Sequence, residues 1–278
     1  RVRTHRETRL TMSPVKRVNV DTVQRMKRKQ DPITMLTAYD FFTARILDNA
    51  GVDLLLVGDT VGMALGGHST TIPVRLEHIV YHAEMVSRGA ERAMVIGDLP
   101  FLTYQVTVEA GIENAGRLMQ DGKVHGVKVE GGRAMVPLVK RVLRAGIPVM
   151  GHLGLTPQSV HRFGGWKVQG RDETSAKQVC DAALSLQDAG CFAIVLEAIP
   201  CELAKRVTES LEVPTIGIGA GPHCDGQVLV TPDMLGMTGF EAKYVKQYAS
   251  LAETIGAAVG QYVDEVKQHK YPTEAQGY

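Results

Sequence analysis

Asp59, Asp98 and Glu130 each close a short apolar run, in Leu54-Leu-Leu-Val-Gly-Asp59, Met94-Val-Ile-Gly-Asp98 and Gly126-Val-Lys-Val-Glu130. Two later runs end in the same manner, at His152 and at Glu197. If the runs are neighbouring parallel strands, five ionisable side chains meet at one mouth. Three carboxylates held there in a low dielectric would repel one another strongly, and a divalent cation relieves that repulsion. All-oxygen ligation favours Mg²⁺ over zinc, since no cysteine joins the set and His152 is the one nearby imidazole. The competing reading makes each acid an N-cap of the helix that follows it. A single acid at a strand end favours that reading; three in register favour the metal.

Lys128 stands two residues before Glu130, on the same face of one strand. From spacing alone it serves equally as an anion binder or as a salt-bridge partner of Glu130. His152 is equally an acid/base group or a structural histidine. Glu197 ends the apolar run Phe192–Leu196, a setting that should raise its pKa and suit it to general acid or base work. The glycine cluster Gly217–Gly221 cradles an anion or allows close packing. His68, His78 and His82 have no ligand spacing and read as surface or loop residues. The chemistry is that of metal-assisted work on a small oxyacid. A metal that chelates a 2-oxo acid polarises its carbonyl and favours loss of a proton from the neighbouring carbon.

The elements that must position these groups recur from residue 33 onward. Apolar runs Ile33–Tyr39, Asp53–Asp59, Ala93–Leu99, Gly126–Glu130, Pro148–Leu153, Phe192–Glu197 and Thr215–Ile218 read as strands. Amphipathic stretches such as Leu76–Ala90, Thr107–Asp121, Met135–Ala145, Ser175–Ala189 and Glu202–Leu211 lie between them. Several end in glycine (Gly51, Gly122, Gly146, Gly190), which accepts the left-handed conformation that closes a helix. Repeated βα units imply a parallel sheet, and runs that are apolar throughout imply strands buried on both faces. An eighth strand near Ala242–Val245, followed by helix Leu251–Lys267, would close a single-domain (β/α)8 TIM barrel. A doubly wound open sheet is the alternative, but Tyr39-Asp-Phe-Phe42 is unlike the glycine fingerprint that fold carries after its first strand.

Among the 278 residues, 44% are hydrophobic and 22% charged, ordinary values for a globular chain with a sizeable core. Aromatics at 5% argue against a nucleic-acid stacking surface. Residues 1–29 carry net charge +8 and the remainder −7. Residues 1–17 are expected to form a basic, flexible extension and residues 18–278 the catalytic barrel. The extension has no apolar stretch of the kind a secretory signal needs. Cys180, Cys191, Cys201 and Cys224 form no C-x-x-C pair and read as reduced thiols of a cytoplasmic protein. No apolar run approaches the ~18 residues of a membrane span.

The chain resembles the ketopantoate (3-methyl-2-oxobutanoate) hydroxymethyltransferase family from about residue 20 to near its end. The resemblance is carried by Thr37-Ala-Tyr-Asp40, Val57-Gly-Asp-Thr60, Asp98-Leu-Pro-Phe101, Val127-Lys-Val-Glu-Gly-Gly132 and Gly151-His-Leu-Gly-Leu-Thr-Pro-Gln-Ser159. Val168-Gln-Gly170, Ile216-Gly-Ile-Gly-Ala-Gly221 and Asp225-Gly-Gln-Val-Leu-Val230 continue it. It implies a (β/α)8 barrel that binds Mg²⁺ through Asp59, Asp98 and Glu130. It places Asp59, Thr60, Asp98 and Lys128 on the oxo acid, His152 close by, and Glu197 as the proton acceptor. The family usually carries serine where this chain has Thr60, which keeps the hydroxyl and adds a methyl group. The implied reaction passes through a Mg-stabilised enolate of 3-methyl-2-oxobutanoate. That enolate takes a one-carbon unit from 5,10-methylenetetrahydrofolate to give 2-dehydropantoate, a step of pantothenate biosynthesis. The resemblance also implies a homo-oligomer, commonly a decamer, with no nucleic-acid or membrane partner. Two other readings remain at this point. One is a lyase or mutase of the phosphoenolpyruvate mutase and isocitrate lyase group, which typically carries a cysteine-bearing catalytic loop. The other is a non-catalytic barrel that binds a partner through its basic head.

Overall fold

A computed structural model describes residues 16–278, so most of the expected basic extension lies outside the described residues. The elements are α1 (Val20–Lys29), β1 (Ile33–Thr37), α2 (Phe41–Asn49), β2 (Leu54–Val57), α3 (Val61–Ala64), α4 (Leu76–Gly89), β3 (Met94–Asp98), α5 (Val108–Gln120) and β4 (Gly126–Glu130). They continue with α6 (Val136–Arg144), β5 (Val149–Gly154), α7 (Glu173–Ala189), β6 (Ala193–Glu197), α8 (Cys201–Ser210), β7 (Thr215–Ile218), β8 (Gly226–Leu229), α9 (Thr231–Met234) and α10 (Leu251–Lys267). The eight strands pair in sequence order, all parallel, and β8 closes on β1. The chain is thus a single-domain (β/α)8 TIM barrel.

Alternation along the strands divides the core in two. Leu55, Val57, Val95, Val127, Val149, Ile194 and Leu196 face outward and pack with the helices. Met35, Leu54, Leu56, Met94, Ile96, Met150 and Val195 face inward. Helix α1, capped by Asn19, adds Val23 and Met26 to that inner cluster. Lys27 ties α1 to Asp225 just before β8, at 2.9 Å. Arg17 donates to the Ala90 and Ala93 carbonyls at the start of β3. The inner cluster therefore fills the barrel with apolar side chains below the strand ends.

Two expectations need correction. The eighth strand is Gly226–Leu229, not Ala242–Val245. Residues 242–245 lie in an irregular segment between α9 and α10. Only residues 219–225 join β7 to β8, with no helix between them. Seven extended residues reach about 24 Å, enough to return along a four-residue strand of roughly 13 Å. The second correction concerns burial. β2 to β4 are buried along their whole length, but β1 and β8 expose Thr34 and Gln227 on their outer faces. Among the described residues no helix covers that side, and α10 buries none of its residues.

The glycine stops hold at Gly51, Gly146 and Gly190, all with positive φ. After α5 the left-handed residue is Lys123 instead. Gly122 is needed there for close approach, because a Cβ would lie 2.8 Å from the Leu118 carbonyl and 3.0 Å from Ala83.

Candidate active site

The same alternation that lines the barrel brings ionisable groups to its top. Along β3 the inward positions are Met94, Ile96 and Asp98; along β4 they include Lys128 and Glu130; along β5 they are Met150 and His152. Parallel register then sets Asp98 beside Lys128 and Glu130 beside His152. One further pairing aligns Gly154 with Glu197. Gly154 has φ +92°, and a Cβ there would run into the Glu197 carbonyl, so the close fit of β5 on β6 at the mouth requires glycine.

The five residues Asp59, Asp98, Lys128, Glu130 and His152 are all buried. Lys128 Nζ lies 2.9 Å from Asp98 Oδ1 and 3.8 Å from Glu130 Oε1. His152 Nδ1 sits between Lys128 Nζ at 3.2 Å and Glu130 Oε1 at 3.3 Å. Its Nε2 faces Glu197 Oε2 at 3.2 Å. Glu197 itself is partly exposed and stands against an imidazole, not in the apolar enclosure its strand suggested. Thr60 follows Asp59, and its hydroxyl shares a 2.7 Å hydrogen bond with the Tyr39 phenol.

The cap reading fails on these contacts. Helix α5 is capped by Thr107 and α3 by no side chain. Asp98 Oδ2 accepts from the Asp59 N–H, Glu130 Oε2 from the Gln158 N–H, and Asp59 Oδ2 from the Gln158 amide. The acids bind one another's strands and the loop after β5.

Electrostatics follows from this crowding. Burial, then the Asp98 and Glu130 charges, pushes the Asp59 carboxyl well above the usual range. Burial also raises Asp98, against the pull of Lys128. Glu130 goes down, because His152, Lys128 and the Gln158 N–H together outweigh its burial. Burial depresses the Lys128 ammonium, but three carboxylates more than reverse that and hold it charged. Burial and Lys128 likewise depress His152, and Glu130 and Glu197 overcome both to hold it at about 9. Charged, the ring pairs with both glutamates at 3.3 and 3.2 Å without a directional hydrogen bond to either.

Asp98 Oδ1 and Glu130 Oε1 are buried without a directional hydrogen-bond partner. Each belongs to a carboxylate whose other oxygen a protein N–H already holds. Among the described residues, no group of three or more His, Cys, Asp or Glu is drawn together as a finished metal cage. The donor set still fits Mg²⁺, which takes one or two carboxylates and fills its remaining positions with water and substrate oxygens. Zinc would demand a closed nitrogen and sulfur set that the mouth lacks.

Four residues with a clear place in the cluster escaped the sequence reading. Tyr39, Tyr104, Gln105 and Gln158 carry hydrogen bonds into it. Tyr39 and Gln158 sit within motifs already singled out, but nothing in those motifs shows which way an amide or phenol points. His82 is a related correction: it lies on α4, half-buried, with Nδ1 2.6 Å from the Tyr39 carbonyl.

Comparison with known proteins agrees with this architecture. The fold matches a phosphonopyruvate hydrolase crystallised with oxalate and Mg²⁺ at TM-score 0.61, covering 92% of this chain and 89% of that one at 8% identity, a likeness of fold alone. The 3-methyl-2-oxobutanoate hydroxymethyltransferase of Syntrophus aciditrophicus is 49% identical over 265 residues, which is 95% of this chain and 97% of that protein. The one from Magnetococcus marinus is 52% identical over 259 residues, 93% of this chain and 97% of that protein. The family model described as ketopantoate hydroxymethyltransferase matches residues 17–274. With that match over nearly its whole length, the chain belongs to the ketopantoate hydroxymethyltransferase family.

Proposed function

We propose that this protein is a Mg²⁺-dependent 3-methyl-2-oxobutanoate hydroxymethyltransferase. It moves a one-carbon unit from 5,10-methylenetetrahydrofolate to 3-methyl-2-oxobutanoate, giving 2-dehydropantoate and tetrahydrofolate, with water supplying the new hydroxyl. The observation that carries this reading is the buried layer of carboxylates on adjacent strand ends, two of whose oxygens take no directional hydrogen bond. Asp59, Asp98 and Glu130 would hold the metal. Bound there, Mg²⁺ supplies Lewis acidity toward a carboxylate and a keto oxygen.

The chain's own groups do the rest. Lys128, kept charged by its neighbours, offers an ammonium to the oxo acid. Thr60, anchored by Tyr39, presents its hydroxyl beside Asp59. Glu197, at the open side of the layer, takes the proton from the branched carbon, and the resulting enolate attacks the one-carbon unit. His152, already charged, stands 3.2 Å from Glu197 and orients its carboxylate. No nucleic-acid or membrane partner is proposed; no helix among the described residues is long and apolar enough to cross a membrane. Four unpaired thiols support a cytoplasmic setting. A homo-oligomer, by the family resemblance a decamer, is supported by the uncovered outer face of β8 and the exposed apolar residues of α10.

The test is turnover of 3-methyl-2-oxobutanoate with methylenetetrahydrofolate, with EDTA and after Mg²⁺ is restored. Product should vanish with EDTA and return with Mg²⁺. Absence of any Mg²⁺-dependent product overturns the reading.

A further inference from the structure

Gln158 lies on the loop after β5, buried, yet its bonds run back to the ends of β2, β3 and β4. Its Nε2 donates to Asp59 Oδ2 at 2.9 Å and to the Leu99 carbonyl at 3.0 Å. Its Oε1 accepts from the Tyr104 phenol at 2.8 Å and from Gln105 Nε2 at 2.9 Å. Its backbone N–H donates to Glu130 Oε2 at 3.0 Å. Two donors and two acceptors of one amide are thus all engaged, which is the full capacity of a glutamine side chain. The opposite amide orientation would set its oxygen against two acceptors, Asp59 Oδ2 and the Leu99 carbonyl, so the chemistry fixes the orientation. Tyr104 locks it further: the phenol that donates to Gln158 Oε1 also accepts from the Glu130 N–H at 3.0 Å.

One residue therefore grips two of the three acids, Asp59 by its side chain and Glu130 by its backbone. It leaves Glu130 Oε1 without a directional hydrogen bond, facing only the charges of His152 at 3.3 Å and Lys128 at 3.8 Å. Nothing of its amide remains for a substrate to use.

We propose that Gln158 is a positioning residue that sets the spacing and orientation of Asp59 and Glu130 for a divalent cation, with Tyr104 fixing the amide. The inference rests on the Mg²⁺ reading of the site. Groups that orient metal ligands through hydrogen bonds typically contribute 10- to 100-fold in affinity.

The experiment is calorimetric titration of Mg²⁺ into the EDTA-treated full-length protein, without substrate. Gln158→Met keeps the length of the side chain and removes its hydrogen bonds. It should weaken Mg²⁺ binding about 10- to 100-fold. Tyr104→Phe leaves Gln158 in place and frees its carbonyl end, and should weaken binding in the same direction by less. Val142→Ala, a cavity in the outer core at the last turn of α6, beside the start of β5 and not its mouth end, controls for loss of stability alone and should leave Mg²⁺ affinity unchanged. If Gln158→Met does not fold, Tyr104→Phe decides. Wild-type affinity in the folded variants overturns the inference while leaving the Mg²⁺ reading intact. Equal weakening in Val142→Ala also overturns it, because the effect is then general loosening. A wild-type protein that takes up no Mg²⁺ removes the metal reading and this inference with it.

Discussion

Lys128 faces Asp98 and Glu130 from within a buried layer. An ammonium buried alone is costly, and so is a carboxylate; each is tolerated here because of the other. Lys128→Met keeps the volume and removes the charge. Loss of one partner from a buried pair typically costs about 3 to 5 kcal/mol, and urea denaturation of the metal-free protein should show a loss of that order. Saturating Mg²⁺ should then return part of the stability, because a ligand bound only by the folded state stabilises it. A variant as stable as wild type in EDTA would mean that the cluster tolerates its own repulsion. Asp98→Ala probes the ligand set directly. Asp98 Oδ1 meets only the Lys128 ammonium and takes no directional hydrogen bond, so its removal should abolish Mg²⁺ binding by calorimetry. Unchanged affinity would refute the assigned ligands. The acids, Lys128, His152 and Glu197 were all legible in the sequence, because strand ends in a barrel converge and each residue lies within two positions of one. Gln158 and Tyr104 were not, because they reach the site from loops, and side-chain direction in a loop follows no period.

At the level of elements, legibility followed the βα repeat and failed where the repeat fails. Seven strands were readable because each is apolar and is followed by a polar or glycine-rich turn. β8 was missed because Gly226-Gln-Val-Leu229 is short, has a polar outward residue, and follows β7 without a helix between them. The joint between β3 and β4 carries a testable pH dependence. His125 Nδ1 accepts from the Val95 N–H at 2.9 Å while the His125 N–H donates to the Val95 carbonyl at 2.8 Å. Protonating Nδ1 would break the first of these bonds. Burial, with the Arg17 charge behind it, lowers this imidazole to about 4. The unfolded chain binds the proton at its ordinary value, near 6.5. Stability from the neutral ring is therefore full above about pH 6.5 and is lost as pH falls toward about 4. The ring is partly exposed, so solvent screening reduces the loss to the order of 1 kcal/mol. His125→Asn can keep an acceptor for Val95 without titrating. Urea midpoints at pH 7 and pH 4.5 should fall further in wild type than in the variant. Equal falls would show that His125 takes no part in the acid sensitivity of this joint.

For the whole molecule, the unsolved feature is α10. Ile255, Val259, Val263 and Val266 recur at three- and four-residue spacing on one stripe, with Tyr262 beside them, and all are exposed. The helix also contains Gly256 and Gly260, each costing about 1 kcal/mol relative to alanine. A helix of 17 residues with that composition and no buried residue is marginal alone in water. It needs cover, and the barrel does not give it. The barrel has the matching deficit: a groove of about 800 Å³ lies beside β1, β8 and the connection between β7 and β8, lined by Thr34, Pro222, Gln227, Leu229 and Tyr244 among others. A second copy of the chain could satisfy both, which is the physical case for the proposed homo-oligomer. Ile255→Glu combined with Val259→Glu places two charges on the stripe without touching the mouth. Light scattering should find wild type as a large oligomer and the double variant as a smaller species. Far-UV circular dichroism should lose helix in the variant by roughly the length of α10, because a helix without its cover melts. A double variant of wild-type mass would show that this stripe is not what joins the copies. A smaller species with undiminished helix would show instead that α10 holds by itself and that the joint depends on it only for contact.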